Sequence, residues 1–331
     1  MKFAFAGTPQ FAAWVLRDLV EADAAPCLVV SQPDRPAGRG RHLREPAAIA
    51  QARSSGIPFL ATGDINEVEV RGALREARAE ALVVAAFGQL LRRDLLDAVP
   101  CLNVHASLLP SYRGAAPIAR ALMAGETETG VSIMRMTPGL DEGPWALQKR
   151  VGLSLRDDAA DAGRVLALLG ALATRQVLAG LEEGTVTWTE QVGPATYAAK
   201  LSRADRVLDL DVPARRAHDQ VRALAPDTGV AIDLGLHVKI LRTWPYPPGW
   251  VPDASPAFQQ ALVGVTDRPW RVAVANGRIL LGCARGALEV LVLQPSGKRP
   301  MRAAEFLRGY GKHLEDRARS LPHDLEGGDR R

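Results

Sequence analysis

The sequence predicts an α/β chain: a doubly wound, Rossmann-like N-terminal domain followed by a small OB-like β-barrel C-terminal domain. Three observations carry this. The chain opens as β-α-β: an apolar strand over 2–6, a helix with Phe11, Val15, Leu16 and Leu19 on one face, and a second strand over 27–30. Residues 81–86 form an unbroken apolar run, the signature of a strand covered on both faces of a parallel sheet. Beyond about residue 203 the pattern changes to short strand-like runs at 230–234, 238–244, 271–275, 278–281 and 287–294, separated by turn signals such as Asn276-Gly277, which suits a small barrel. The expected boundaries are 1–184, a linker over 185–203, 204–315, and a disordered tail over 316–331.

Taken in order, Gly7-Thr8-Pro9 follows the first strand, with Thr8 placed to cap the helix and Pro9 to occupy its first position. Residues 31–46 are too rich in Pro and Gly for a regular element, and they carry Arg35, Arg39, Arg41 and Arg44. Helices are expected over 46–54, 66–77 and 116–124, an edge strand over 145–153, and a long helix over 159–181. That helix has Val165, Leu168, Leu169, Leu172 and Val177 at roughly helical spacing, a stripe expected in the core. One further helix is expected over 214–224, and residues 244–256 read as an extended loop.

Composition bounds the function. The chain has 331 residues and a net charge of +4. Residues 1–200 carry 21 basic and 22 acidic side chains, whereas residues 201–331 carry 20 and 15, so the excess sits in the second half and suits a polyanionic partner. Gly-x-Gly-x-x-Gly and the P-loop are absent, which removes the usual dinucleotide and nucleoside-triphosphate fingerprints. Cys27, Cys101 and Cys283 have no metal-ligand spacing and the six histidines are dispersed, so no metal is expected. No apolar run suggests a membrane span or signal peptide, and a cytoplasmic monomer is expected.

The chemistry concentrates at 102–114. Leu102, Val104 and Ala106 alternate with Asn103, His105 and Ser107, so one strand face presents an amide, an imidazole and a hydroxyl. Pro110 ends the strand. Downstream, a strand over 130–136 runs into Thr137-Pro138-Gly139-Leu140-Asp141-Glu142-Gly143, which sets a carboxylate in a loop at a strand end. Polar groups at one strand end are often only satisfied caps; an amide, an imidazole and a carboxylate at neighbouring strand ends can also form one site.

These residues carry a resemblance. Asn103-x-His105, then Ser107-Leu108-Leu109-Pro110-x-x-Arg113-Gly114, then Gly139-Leu140-Asp141, resemble the folate-dependent formyltransferases, and the likeness extends over about 1–312. It implies formyl transfer from 10-formyltetrahydrofolate, with Asn103, His105 and Asp141 catalytic, and Ser107, Leu108, Leu109, Pro110, Phe87 and Gly88 around the folate. Asn103 suits an oxyanion, His105 a proton shuttle, and Asp141 the orientation of His105. Pro33-Asp34-Arg35-Pro36-x-Gly38-Arg39-Gly40 resembles the inserted loop of the members that formylate methionyl-initiator tRNA, which implies that Arg35, Arg39, Arg41 and Arg44 bind tRNA; residues 293–301 resemble the closing segment of their second domain. Other acceptors compatible with the same site are an amino sugar nucleotide or water. A nucleic-acid-binding protein with a degenerate site is the third class, and the intact Asn103, His105 and Asp141 speak against it. The chain departs from the family at Asp141-Glu142-Gly143, where Asp-Thr-Gly is usual, and at 225–229, which lacks the usual aromatic.

Overall fold

The computed structural model describes residues 1–37, 42–226, 228–250 and 254–320. The chain runs β1 (Phe3–Gly7), α1 (Gln10–Glu21), β2 (Leu28–Ser31), β3 (Arg35–Ala37), β4 (His42–Arg44), α2 (Ala47–Ser54), β5 (Phe59–Ala61), α3 (Val68–Glu76), β6 (Ala81–Ala85), α4 (Arg93–Leu96), β7 (Cys101–His105), β8 (Arg113–Gly114), α5 (Pro117–Ala124), β9 (Glu128–Arg135), β10 (Trp145–Gly152), α6 (Ala159–Glu183) and β11 (Tyr197–Ala198). It continues through α7 (Ala214–Leu224), β12 (Val230–Asp233), β13 (His237–Tyr246), α8 (Pro256–Val265), β14 (Val272–Ala275), β15 (Arg278–Gly282), β16 (Ala287–Pro295), β17 (Met301–Arg302) and α9 (Ala303–Tyr310).

Two compact units result. The first comprises Met1–Ile118, Thr127–Leu153 and Asp161–Lys200; the second comprises Ala119–Glu126, Ser154–Ala160 and Leu201–Arg331. The first unit holds a seven-stranded sheet in the order β10-β9-β7-β6-β1-β2-β5. The strands from β7 to β5 are parallel, while β9 is antiparallel to β7 and β10 to β9. All five residues of β1 and of β6 are buried, as unbroken apolar runs between two helix layers should be. The N-terminal end of α1 differs from the sequence reading: Pro9 is its N-cap, and the Thr8 hydroxyl accepts from the Gln32 amide, at 3.4 Å, instead of capping.

The long helix α6 corrects a larger expectation. Val165, Leu168 and Leu172 are 43–49% exposed, and the buried face is Ala162, Gly163, Leu166, Ala167, Gly170, Ala171, Thr174, Val177 and Leu178. The small residues win because the helix lies close to the sheet: a methyl group added at Gly170 would run into the side chain of Val104 in β7. Close approach buries the backbone of α6 together with Leu166, Val177 and Leu178, each gaining about 1.5–3 kcal/mol from burial. Bulkier side chains on that face would hold the helix off.

The stretch 31–46 is also more regular than expected, since β3 and β4 form an antiparallel hairpin with Arg35 opposite Arg44. Residues as far as 200, expected to be linker, belong to the first unit, where β11 pairs in parallel with β8.

In the second unit β12, β13, β16, β15 and β14 form an antiparallel sheet in that order, with β17 added beside β16. Shifts of register on either side of Arg242 mark irregularities in the β13–β16 pairing, with an extra residue first in β13 and then in β16. The five expected strands are present and antiparallel. Two α-helices were not foreseen. One is α8, capped by the Ser255 hydroxyl and buried through Phe258, Leu262 and Val265; the other is α9, anchored by Ala303 and Phe306. The expected tail begins later than 316, because Ala318 is buried and Arg317 and Arg319 bridge to Arg271 and Asp233. Residues 321–331 lie outside the described residues.

Candidate active site

The strand β7 sets the site. Leu102, Val104 and, beyond the strand, Ala106 enter the core, so Asn103 and His105 project together from the other face. The following loop is held by its own hydrogen bonds. Ser107 Oγ donates to Ser111 O (2.5 Å), and the buried Ser132 of β9 donates to Ser107 O (2.7 Å) and accepts from Leu109 N (3.1 Å). Gln148 Nε2 donates to Leu109 O (2.9 Å) and Ser132 Oγ (2.9 Å).

Asp141 reaches this strand from the loop after β9. Its Oδ1 accepts from Asn103 Nδ2 (3.0 Å) and its Oδ2 from the Gly114 amide (2.8 Å). His105 Nδ1 lies 3.7 Å from Asp141 Oδ2, a charge neighbour rather than a hydrogen bond. His105 Nε2 is 2.9 Å from Tyr112 O; a carbonyl only accepts, so Nε2 carries a proton and donates. The His105 side chain is 5% exposed and that of Asp141 12%, so the three groups meet at a largely dehydrated spot. Gly114 permits the arrangement. Its φ is +115°, and a Cβ there would lie 3.0 Å from Ala198 O of β11. Asp141 itself has φ +51°, a left-handed conformation that aspartate tolerates better than most residues.

The sequence reading missed Gln191, in the supposed linker. Its Oε1 accepts from Arg113 Nε (3.0 Å) and Nη2 (2.8 Å), and its Nε2 donates to Asp141 O and Gly143 O, both at 2.8 Å. All four hydrogen-bonding positions of one amide therefore tie the Arg113 strand to the Asp141 loop. Thr196 adds a bond from Tyr112 N to its Oγ1 (2.8 Å). A glutamine in a Gly/Pro-containing stretch gives no periodic signal, and only its position beside β8 reveals it.

The other expected residues are placed less uniformly. Ser107 and Leu109 are buried, leaving Leu108 and Pro110 half-buried and accessible. The Phe87 ring is inside the core, its carbonyl accepting from Gln32 Nε2 (2.6 Å), and Gly88 follows at φ +82°. Glu142, the departure from Asp-Thr-Gly, is 54% exposed and sits 3.8 Å from Arg113 Nη1, so it meets Arg113 rather than Asn103 or His105. Arg35 and Arg44 are exposed and have no carboxylate partner among the described residues; Arg39 and Arg41 lie outside those residues. Among the described residues no group of three or more His, Cys, Asp or Glu could hold a metal ion.

The chain matches the family model described as formyl transferase over residues 1–171 and that of the formyl transferase C-terminal domain over 200–311. Fold and site thus define a formyl transferase of two units. The methionyl-tRNA formyltransferase of Methylobacterium sp. (strain 4-46) is 40% identical over 317 residues, covering 93% of this chain and 96% of that protein. That of Thermus thermophilus is 40% identical over 314 residues, covering 94% and 97%. The chain belongs to the methionyl-tRNA formyltransferase family. Among solved structures, HypX from Aquifex aeolicus in complex with tetrahydrofolic acid is similar at a TM-score of 0.64 and 14% identity, covering 96% of this chain and 48% of that one. WlaRD, a sugar 3N-formyl transferase, is similar at 0.61 and 15%, covering 90% and 99%. At such identities the likeness shows the fold alone.

Proposed function

We infer that this chain transfers the formyl group of 10-formyltetrahydrofolate to the α-amine of methionyl-initiator tRNA, giving N-formylmethionyl-tRNA for translation initiation. The observation that carries the chemistry is the convergence of Asn103, His105 and Asp141 at the end of β7. The near-full-length identity to methionyl-tRNA formyltransferases selects the acceptor.

The reaction is a direct acyl transfer. The amine nitrogen attacks the formyl carbon, the carbonyl electrons move to oxygen, and the tetrahedral intermediate expels the folate nitrogen, which takes up a proton. One Asn103 N–H is held by Asp141, and the second is the donor for the oxyanion. The His105–Asp141 pair accepts the proton lost by the attacking amine and returns one to the leaving nitrogen. Asp141 fixes both partners, since one carboxylate touches Asn103 and faces the imidazole. Leu108 and Pro110, with the backbone at Phe87 and Gly88, form the folate side, and Ser107 and Leu109 shape it from within.

Arg35 and Arg44 on β3 and β4, together with Arg39 and Arg41 between them in the sequence, read the acceptor end of the tRNA. Within the second unit, residues 204–315 bind tRNA phosphates as an OB-like barrel, the irregularities of the β13–β16 pairing curling its sheet. The reading takes the chain as a cytoplasmic monomer with no membrane partner. In line with that, the one described helix long and apolar enough to cross a bilayer, α6, packs its small-residue face on the sheet. The test is formylation of charged initiator tRNA with 10-formyltetrahydrofolate, an amino sugar nucleotide serving as the alternative acceptor. Turnover on the sugar nucleotide alone would overturn the acceptor assignment.

A further inference from the structure

The second unit contains a cavity of about 310 Å³ that the formyl-transfer chemistry does not use. Its wall includes Arg156, Arg222, Arg242, Asp158, Trp244 and His218. Three guanidiniums thus face a cavity with one lining carboxylate. Arg156 and Arg242 are exposed and have no carboxylate partner among the described residues. Arg222 is buried. Its Nε donates to Asp219 Oδ1 (2.7 Å) and its Nη1 to Ser154 O (2.9 Å) and Asp157 O (3.2 Å), but its Nη2 has no hydrogen-bond partner among the described residues. Asp219 also accepts from Arg215 Nε (3.0 Å), so one carboxylate serves two guanidiniums and positive charge is left over.

The rest of the wall is neutral and aromatic. His218 Nε2 faces Leu155 O and its Nδ1 faces Thr243 Oγ1, both at 2.9 Å, which puts a proton on Nε2. Burial holds this imidazole below the ordinary histidine range. Trp244 meets His218 edge-on at 6.3 Å, and the Arg156 guanidinium lies 5.9 Å from its ring centre. Surplus guanidinium charge beside an indole, in a space of small-ligand size, is the combination that takes an anion joined to a flat ring.

We propose that this cavity is a nucleotide site, with the phosphate on Arg156 and Arg242, its charge balancing that of Arg222, and the base against Trp244. Assigning the nucleotide to tRNA rests on the function inferred above; a free mononucleotide offers the same chemistry. Because Arg222 holds buried Asp219, it is left intact in the test, and the exposed pair is changed instead.

The full chain and the double variant Arg156→Gln/Arg242→Gln are compared in filter binding of uncharged initiator tRNA and calorimetric binding of 5′-AMP. A double variant with the same loss of charge at the exposed Arg75 and Arg175 (Arg75→Gln/Arg175→Gln) serves as control. The site variant should weaken tRNA binding about tenfold beyond the control and reduce the slope of log K against log salt by about 1. It should weaken 5′-AMP at least tenfold, and so should Trp244→Leu, with Trp244→Phe retaining most of the binding. Loss of 5′-AMP binding with tRNA binding equal to the control supports the site and makes a free nucleotide its ligand. Control-like behaviour in both assays overturns the proposal. If wild type fails to formylate methionyl-tRNA while 5′-AMP binding still depends on Arg156 and Arg242, the acceptor reading falls and the site stands.

Discussion

Replacing Gln191 by Leu tests whether the active-site geometry is held from outside the catalytic strand. The change removes two bonds from Arg113 and two to the carbonyls of Asp141 and Gly143. At a net 0.5–1.5 kcal/mol per bond, and with water able to replace part of them in a half-buried position, the loss of stability should be about 2–4 kcal/mol. The loss of activity has a different origin. Asp141 sits at φ +51° and its carboxylate orients Asn103 and faces His105. A drift of about 1 Å in that carboxylate costs roughly 10²-fold in rate. The expectation is therefore kcat lowered 10- to 100-fold, with the KM for 10-formyltetrahydrofolate little changed, in protein shown folded by its melting curve. Gln191→Glu separates the two effects. Its carboxylate keeps Arg113 but cannot donate to Asp141 O or Gly143 O, so it should retain only part of the stability and still lose kcat. Because Gln191 and Asn103 both act on Asp141, the Asn103→Ala/Gln191→Leu double variant should lose less than the two single losses combined. A folded Gln191→Leu protein with wild-type kcat would refute the reasoning.

Four further outcomes are expected. Asn103→Ala should lower kcat by roughly 10²–10³, and His105→Ala/Asp141→Ala should be little worse than the worse single variant, whereas Glu142→Thr should be mild; additive free-energy losses in single-turnover kinetics would separate His105 from Asp141. Arg278→Met should cost about 3–5 kcal/mol in urea unfolding, because it strands Glu289, whose side chain is 5% exposed and otherwise bonded to Tyr246 OH at 2.7 Å; a wild-type midpoint would deny the pair that role. Burial lowers the His218 pKa, so the unfolded chain takes up the proton first: stability is full above about pH 6.5 and falls as pH drops below it, and His218→Gln should flatten the melting-temperature profile there. Arg39→Ala should reduce discrimination between initiator tRNA and a variant with a strong first base pair by about 1–3 kcal/mol in kcat/KM, and Arg39→Lys should not restore it fully; an unchanged ratio would leave the loop as a solvated surface.

What the sequence revealed depended on how local the controlling physics is. The strand at β7 was legible because period-two alternation puts Asn103 and His105 on one face whatever surrounds them. The strands of the second unit were legible for the same reason, and turn residues such as Asn276-Gly277 marked their ends. α6 was legible as a helix but not in its orientation. Periodicity finds a stripe of large apolar residues, whereas closeness of approach decides burial, and Gly170 against Val104 favours the small-residue side. α8 was hidden by its length, since Phe258, Leu262 and Val265 give only two intervals of helical spacing between turn-like segments.

The same distinction explains why the clustering of Asn103, His105 and Asp141 could be expected from the sequence while the place of Gln191 could not. The first three are groups whose chemistry is intrinsic, an amide, an imidazole and a carboxylate at strand ends, and a reaction can be reasoned from them. Gln191 has no chemistry of its own to contribute. Its importance lies wholly in four distances, all between 2.8 and 3.0 Å, and those exist only because β11 returns to pair with β8. A stretch with Gly193 and Pro194 reads as a connector, because nothing local says that it must lie against anything. Yet the backbone at Thr196 and Ala198 accepts from Arg113, Ala115 and Ala116, and that pairing brings the preceding residues over the Asp141 loop. Asn103, His105 and Asp141 are thus fixed by one strand and one loop, and the geometry between them by a segment some 50 residues further along the chain. It follows that changes in 185–200 should register in kcat before they register in any property of the second unit.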